Sequence, residues 1–248
     1  MPLPGVLSHS SSPRNHNGTG DTNDLEREQT AWYFYLAEIS LRRLGARLGA
    51  EMEELHKAHN SSRCTFLEAA ALVVPCQEAQ VHELIASLRT GLSFSAPAEE
   101  DDTCRFVLRG LASALLERIY WPFLSAYLDG TTSGPDLAWL APYVTLAQKG
   151  LDHHLLKLAV NKPGFRYRHH GTYAMVQSCS RSALVFIAAS SQSRSTMPGA
   201  VQFLTMPAGW EHSVQDVISL LEFWGQETRV FHGIYSVLLR AFARAYIP

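Results

Sequence analysis

The sequence predicts an all-α protein, an irregular bundle of about seven or eight helices. In most of the chain apolar residues recur at steps of three and four, which is the period of an amphipathic helix. Strand signals are nearly absent, because no convincing run alternates apolar and polar residues and no Asn-Gly hairpin turn follows a strand-like segment. With 248 residues, 46% of them hydrophobic, the chain is long enough to bury a real core.

The first twenty or so residues differ from the rest. They are rich in Ser, Pro, Asn, His and Gly and carry too little apolar surface to offset the entropy lost on ordering. We therefore predict a flexible leader over residues 1–22 and a single all-α domain over residues 23–248.

The first part of the domain is predicted to be a long helix followed by a broken one. Apolar spacing favours a helix from Asp24 to about Lys57. A second helical run, Phe66 to Val74, is expected to stop at Pro75, because proline cannot donate to the helical hydrogen-bond ladder. The helix is expected to resume from Gln77 to Leu88.

The middle of the chain is predicted to contain two more long helices. A polar loop over residues 93–102 precedes a helix from Cys104 to about Leu128. Pro122 is expected to kink or reset that helix. After a turn at residues 131–135, the next helix runs to about Val160 and could start at Pro142, since proline is tolerated in a first turn.

Three signals define the last part. An apolar helix is predicted from His170 to about Ala189, followed by a Ser-rich loop over residues 190–198. Ser213 is expected to cap the next helix, with Asp216 three residues on in a capping-box arrangement. A final helix is predicted from Phe231 to Tyr246.

Charge and composition exclude several classes of function. A net charge of -2 gives no electrostatic footprint for nucleic acid, and no apolar run approaches the roughly 20 residues that span a bilayer. No secretory signal is visible, so we expect an intracellular protein of the nucleus or cytoplasm. The cysteines are scattered without a C-x-x-C pair, which predicts buried, reduced thiols: Cys64, Cys76, Cys104 and Cys179.

No residue pattern defines a metal, cofactor or catalytic site. His153-His154 and His169-His170 are adjacent pairs, and helical neighbours point apart, so loop anchoring is the more reasonable role for the second pair. The Glu53–His56 step lacks the second copy that a di-iron bundle needs. Nucleotide-binding and serine-hydrolase motifs are absent, so we expect no cofactor.

Five segments, in order, resemble the C-terminal regulatory region of fungal zinc binuclear cluster transcription factors. They are residues 32–43 (WYFYLAEISLRR), 88–94 (LRTGLSF), 108–124 (ending IYWPFL), 168–189 (starting RHHGTY) and 206–224 (starting MPAGW). The resemblance implies a helical domain that regulates an attached DNA-binding head through effector or partner contacts. It transfers no catalytic residue.

The chain departs from that family in ways that affect DNA binding. Four scattered cysteines cannot form the six-cysteine zinc cluster, and no basic linker is present in the sequence. The N-terminal half of the family's helical region is also missing from it. Trp121 stands where the family commonly has arginine before Pro122-Phe123. We therefore expect no direct contact of this chain with DNA.

Two hypotheses follow. The first is a regulator-like protein without a DNA-binding head, controlling a fungal metabolic gene cluster through a protein partner, a second copy or a small apolar effector. The alternative is a cofactor-independent cyclase or isomerase recruited from the same scaffold. Its pocket rim would be built from Arg166, Arg168, His169, His170 and Tyr173. A closed cavity with convergent polar groups would favour the enzyme, and a solid core or an exposed apolar surface would favour the regulator.

Overall fold

The protein is described here by a computed structural model covering residues 20–59, 63–129, 140–169, 171–195 and 204–246. These residues form seven α-helices and no strand, which confirms the all-α prediction. The helices are α1 (Gly20–Ala58), α2 (Arg63–Ala86), α3 (Thr103–Leu128), α4 (Val144–Asn161), α5 (Thr172–Ser195), α6 (Trp210–Gly225) and α7 (Arg229–Tyr246). The predicted turn at residues 131–135 lies outside the described residues, as do residues 1–19 of the predicted leader.

Helix α3 is the centre of the bundle. It packs against α1 and α2 on one side and most extensively against α4, with further contact to α5. Helices α6 and α7 pair with each other and close the far side against α5. Gly150 lets α4 approach α3 closely, because a Cβ there would lie 3.2 Å from the Tyr120 Cβ.

Helix α1 begins at Gly20, two residues before the predicted boundary of the leader. Its inner face is apolar at three- and four-residue steps and buries Phe34, Ala37, Leu41, Leu44 and Leu48. Residues 27–32 are exposed, so packing against the rest of the bundle starts only near residue 33.

Proline does not break either helix that contains it. The predicted stop at Pro75 is wrong, since α2 is one helix from Arg63 to Ala86, and α3 likewise continues through Pro122 without resetting. An interior proline costs about 3 kcal/mol. Buried residues on both sides, such as Val74 and Val81 in α2, hold each helix in place and outweigh that cost.

Two further boundaries differ from the prediction. Helix α5 runs into the predicted Ser-rich loop as far as Ser195, because Ser190 is buried and Ser191 Oγ donates back to the Ile187 carbonyl at 2.8 Å. The cap predicted at Ser213 is also wrong. Helix α6 starts at Trp210 after Gly209, whose φ of 79° is a left-handed conformation that glycine adopts without strain.

Candidate functional site

The predicted rim residues are placed at the junction between α4 and α5, facing α6 and α7. Arg166, Arg168 and Tyr173 are exposed, and His169 is half-buried. His170 lies outside the described residues. The structure therefore brings the described members of the predicted set to neighbouring positions at the surface of the bundle.

Contacts with α3 and α6 hold the segment of residues 162–168, which carries the two arginines, against the bundle. A 3₁₀ turn, Lys162–Gly164, follows α4 directly, and a Cβ on Gly164 would lie 2.3 Å from the Phe106 Cζ. The buried Trp224 donates its Nε1–H to the Phe165 carbonyl at 2.7 Å. These contacts fix the direction in which the next three side chains leave the backbone.

Both arginines lie over aromatic rings of α6. The Arg166 guanidinium carbon is 6.0 Å from the centre of the Phe223 ring, and that of Arg168 is 5.4 Å from the Trp224 ring. Arg168 also pairs with Glu227 just after α6. Stacking on aromatic faces preorganises a guanidinium while leaving its edge free to donate hydrogen bonds.

Exposed aromatic side chains complete this surface. Tyr167 is 72% exposed, and Tyr173, which stacks on Phe231 of α7, is 50% exposed. We call the set formed by Arg166, Tyr167, Arg168, Tyr173 and Phe223 the arginine–aromatic patch. The sequence analysis named three of these five residues, Arg166, Arg168 and Tyr173. It did not name Tyr167, and it could not place Phe223, which α6 supplies from at least fifty residues away.

The hydrogen bonds of His169 stabilise the start of α5. Its Nδ1 accepts a hydrogen bond from the Gly171 amide at 3.1 Å, and its own amide donates to Thr172 Oγ1 at 2.9 Å. Its ring meets Phe106 edge to face at 5.2 Å. These bonds are those of a side chain that anchors a loop.

Sequence reasoning missed a buried ion-pair cluster in the middle of the bundle. Glu117 of α3 is held by Lys157 of α4 through one carboxylate oxygen, and by Arg181 of α5 through the other at 2.5 Å. Lys157 and Glu117 are almost fully buried, whereas Arg181 reaches in from the surface. A lysine inside the apolar run of residues 155–160 was the one signal in the sequence.

The charges of Glu117 and Lys157 are buried together, and each affects the pKa of the other. Burial is the largest influence on Glu117 and by itself would raise the pKa of the carboxyl. The positive charges of Lys157 and Arg181 together outweigh burial and hold that pKa below its usual value. Burial lowers the pKa of Lys157, and Glu117 opposes that shift. The pair therefore stays ionised because each charge supports the other.

A second histidine lies beside the cluster and is neutral. His154 Nδ1 is 2.9 Å from Ser182 Oγ, and both side chains are buried. Burial, with the nearby Lys157 cation, lowers the pKa of His154 to about 3. Burial raises the pKa of the neighbouring Cys179 thiol to about 12, so that thiol is unreactive. A histidine and a serine in contact resemble a nucleophile and its base, but no substrate reaches side chains this deeply buried.

Helix α1 presents a second exposed apolar surface. Four large side chains follow one another at steps of three, one and three residues on its outer side: Trp32, Tyr35, Leu36 and Ile39. We call them the α1 outer stripe. Toward the C-terminal end of α1 the stripe meets an open groove of about 590 Å³ between α1 and α2, whose walls include Arg43, Arg47, Gln80 and Glu83. Leu44 and Leu84 also line this groove, so its walls combine apolar and charged side chains.

The described part of the chain offers neither a metal site nor a membrane-spanning helix. It holds no group of three or more His, Cys, Asp or Glu side chains that could bind a metal ion. None of its helices is both long and apolar enough to cross a bilayer. All four cysteines are free, but the prediction that they are buried is correct only for Cys179, and Cys76 is exposed.

Comparison with known proteins gives no relative: no family model, curated protein or solved structure matches this chain.

Proposed function

We propose that this chain is a regulator that works by binding a protein partner, as its resemblance to the regulatory region of fungal transcription factors implies. The observation that carries the proposal is the arginine–aromatic patch. Tyrosine, other aromatics and arginine are the residues enriched at energetic centres of protein interfaces. Here they are exposed, held by a rigid base and drawn from the α4–α5 junction, α5 and α6.

The charges of the patch suggest the chemistry of the partner. Arg168 is partly neutralised by Glu227, but Arg166 has no carboxylate partner in the described parts of the chain. A guanidinium already stacked on Phe223 loses little freedom when it binds a carboxylate. A segment with an acidic residue next to an apolar or aromatic one fits this surface.

The finer points of the proposal follow from the resemblance alone. The chain acts in the nucleus or cytoplasm, without contacting DNA itself, and controls transcription of a metabolic gene cluster. The enzyme alternative gains nothing from the contacts described above, because the His154–Ser182 pair is enclosed in the bundle.

A tethering assay tests the function. The chain is fused to an unrelated DNA-binding module, and transcription of a reporter with the matching site is measured in a fungal host. We expect a change of at least about five-fold against the module alone, and we expect the change to disappear in the Arg166→Ala/Tyr167→Ala variant, because interface centres tolerate truncation poorly.

The matched control is Leu72→Ala, which removes an equally exposed apolar side chain from α2, far from the patch in sequence. Circular dichroism melts confirm that each variant folds. A wild-type fusion that leaves the reporter unchanged contradicts the regulatory function. A patch variant that regulates as strongly as the control contradicts the role of the patch.

A further inference from the structure

The outer face of α1 carries a pattern that is complementary to itself. Along one side of the helix stand Glu28, then the α1 outer stripe from Trp32 to Ile39, then Arg43. All are exposed and lie on the side of α1 opposite its buried inner face, because steps of three and four residues keep them within one broad face, with Tyr35 and Leu36 at its two edges. An acidic end, an apolar middle and a basic end thus share one face.

The pattern has a centre of symmetry between Tyr35 and Leu36. When two copies of α1 run antiparallel about that point, Trp32 of one copy meets Ile39 of the other, and Tyr35 meets Leu36. Glu28 then meets Arg43 at both ends of the pair. A two-fold interface has this property. If residue i of one copy contacts residue j of the other copy, then residue j of the first copy contacts residue i of the second.

The two charges are available for such pairing. Glu28 and Arg43 are exposed, and within the described ranges neither has an ion-pair partner. They are fifteen residues apart, about 22 Å along the helix at about 1.5 Å per residue. An apolar stripe of about two turns, flanked about one turn beyond each end by opposite charges, specifies both the register and the antiparallel direction.

The start of α1 and the groove support the same arrangement. Residues 27–32 are helical but exposed on all sides, and a helix segment without a packed face gains little stability on its own. In the antiparallel pair this segment lies along residues 39–44 of the other copy, beside the groove between α1 and α2. A second copy therefore covers the unsupported segment and the groove together.

We propose that this chain forms a two-fold dimer through antiparallel pairing of the outer faces of α1. The rest of each bundle lies on the opposite side of its α1 helix and so does not obstruct the pair. The interface buries roughly 1,000 Å² in total, at the low end for specific complexes, so a dissociation constant of about 1 to 10 μM is expected. The dimer shares no residue with the arginine–aromatic patch and does not depend on the function proposed for it.

Sedimentation velocity of the full chain from about 1 to 100 μM tests the dimer. The wild type is expected to pass from monomer to dimer across this range. Trp32→Ala should weaken association by at least ten-fold, since aromatic anchors dominate small interfaces. Leu72→Ala, which removes an even more exposed apolar side chain but from α2, should leave association unchanged.

Charge reversal tests the antiparallel direction. Glu28→Arg and Arg43→Glu should each weaken the dimer about ten-fold, because each creates two like-charge contacts. The two single variants mixed together should associate as the wild type does, and so should the doubly reversed chain. A wild type that stays monomeric at 100 μM overturns the proposal. Single reversals without effect, or a double reversal that fails to restore association, also overturn it.

Discussion

At the scale of single residues, the central feature is a buried charge pair that connects three helices. Glu117, Lys157 and Arg181 come from α3, α4 and α5, so one cluster holds the middle of the bundle together. Such a pair is weak evidence for net stability, because the cost of removing two charges from water offsets most of their attraction. Its effect is to penalise arrangements in which the charges do not meet.

Removing one charge of this pair should lower the free energy of unfolding more than removing both charges does. Glu117→Gln leaves the Lys157 ammonium buried beside a neutral amide, so we expect unfolding free energy to fall by about 3 to 5 kcal/mol. Glu117→Met with Lys157→Met leaves no buried charge, and Arg181 can turn to solvent because it is more than half exposed. Urea denaturation measures each variant. A double variant that loses as much unfolding free energy as Glu117→Gln would contradict this account.

At the scale of elements, the sequence predicted the helices and most of their ends to within a few residues, and the main errors were the stop at Pro75 and the end of α5. The inner face of α1 follows a clear apolar period, which is why its limits came within a few residues of the structure. The prediction that the helix stops at Pro75 was wrong because tertiary packing outweighs the local cost of a proline. Helix α2 is packed against the bundle on both sides of Pro75. The overrun of α5 has the same cause, since Ser190 is buried in the bundle.

The candidate site was harder to predict, because its parts are distant in sequence. The Arg166–Tyr173 region was visible as a run of arginine, histidine and tyrosine before an apolar helix. Its partners Phe223 and Trp224 belong to α6, and no local pattern links them to Arg166 or Arg168. The Glu117–Lys157 pair was missed for the same reason: Lys157 interrupts an apolar run, but no local pattern links it to Glu117, which is forty residues away.

The turn after α4 offers a test of how the patch is positioned. Gly164→Ala places a methyl group 2.3 Å from the Phe106 ring, so the ring or the turn must move. We expect a loss of about 1 to 3 kcal/mol in unfolding free energy, typical of overpacking. In a Phe106→Ala background the same glycine substitution should cost far less, as thermal or urea unfolding would show. Equal costs in both backgrounds would mean that this contact is unimportant.

At the scale of the whole molecule, two surfaces lie on separate elements of one helical bundle. The arginine–aromatic patch lies where α4, α5 and α6 meet, and the α1 outer stripe belongs to the first helix alone. The helices α1 and α6 share no extensive contact, whereas both are tied to the bundle through α3, α4 or α5. A dimer formed through α1 would therefore present two copies of the patch to a partner, which strengthens a weak contact through its second attachment.

The stability of the whole fold should depend on pH through His154. Its pKa is about 3 in the folded protein and near 6.5 when unfolded, so between these values only the unfolded chain is protonated. The contribution of neutral His154 to the free energy of unfolding is therefore fully present above pH 6.5. It falls by about 1.4 kcal/mol for each pH unit below that value. Glu117, whose folded pKa is also depressed, adds a further loss only below about pH 4.5.

Urea unfolding of the wild type and of His154→Gln between pH 7.5 and 4.5 checks this expectation. The glutamine keeps a group that can bond Ser182 but cannot take up a proton, so its unfolding free energy should vary less steeply below pH 6.5 by about 1.4 kcal/mol per unit. His153→Gln is the control. Burial also lowers the pKa of His153, but this neighbour is only partly buried and should change the slope less. Parallel curves for wild type and His154→Gln would show that His154 has the same pKa in the folded and the unfolded chain, and would contradict this expectation.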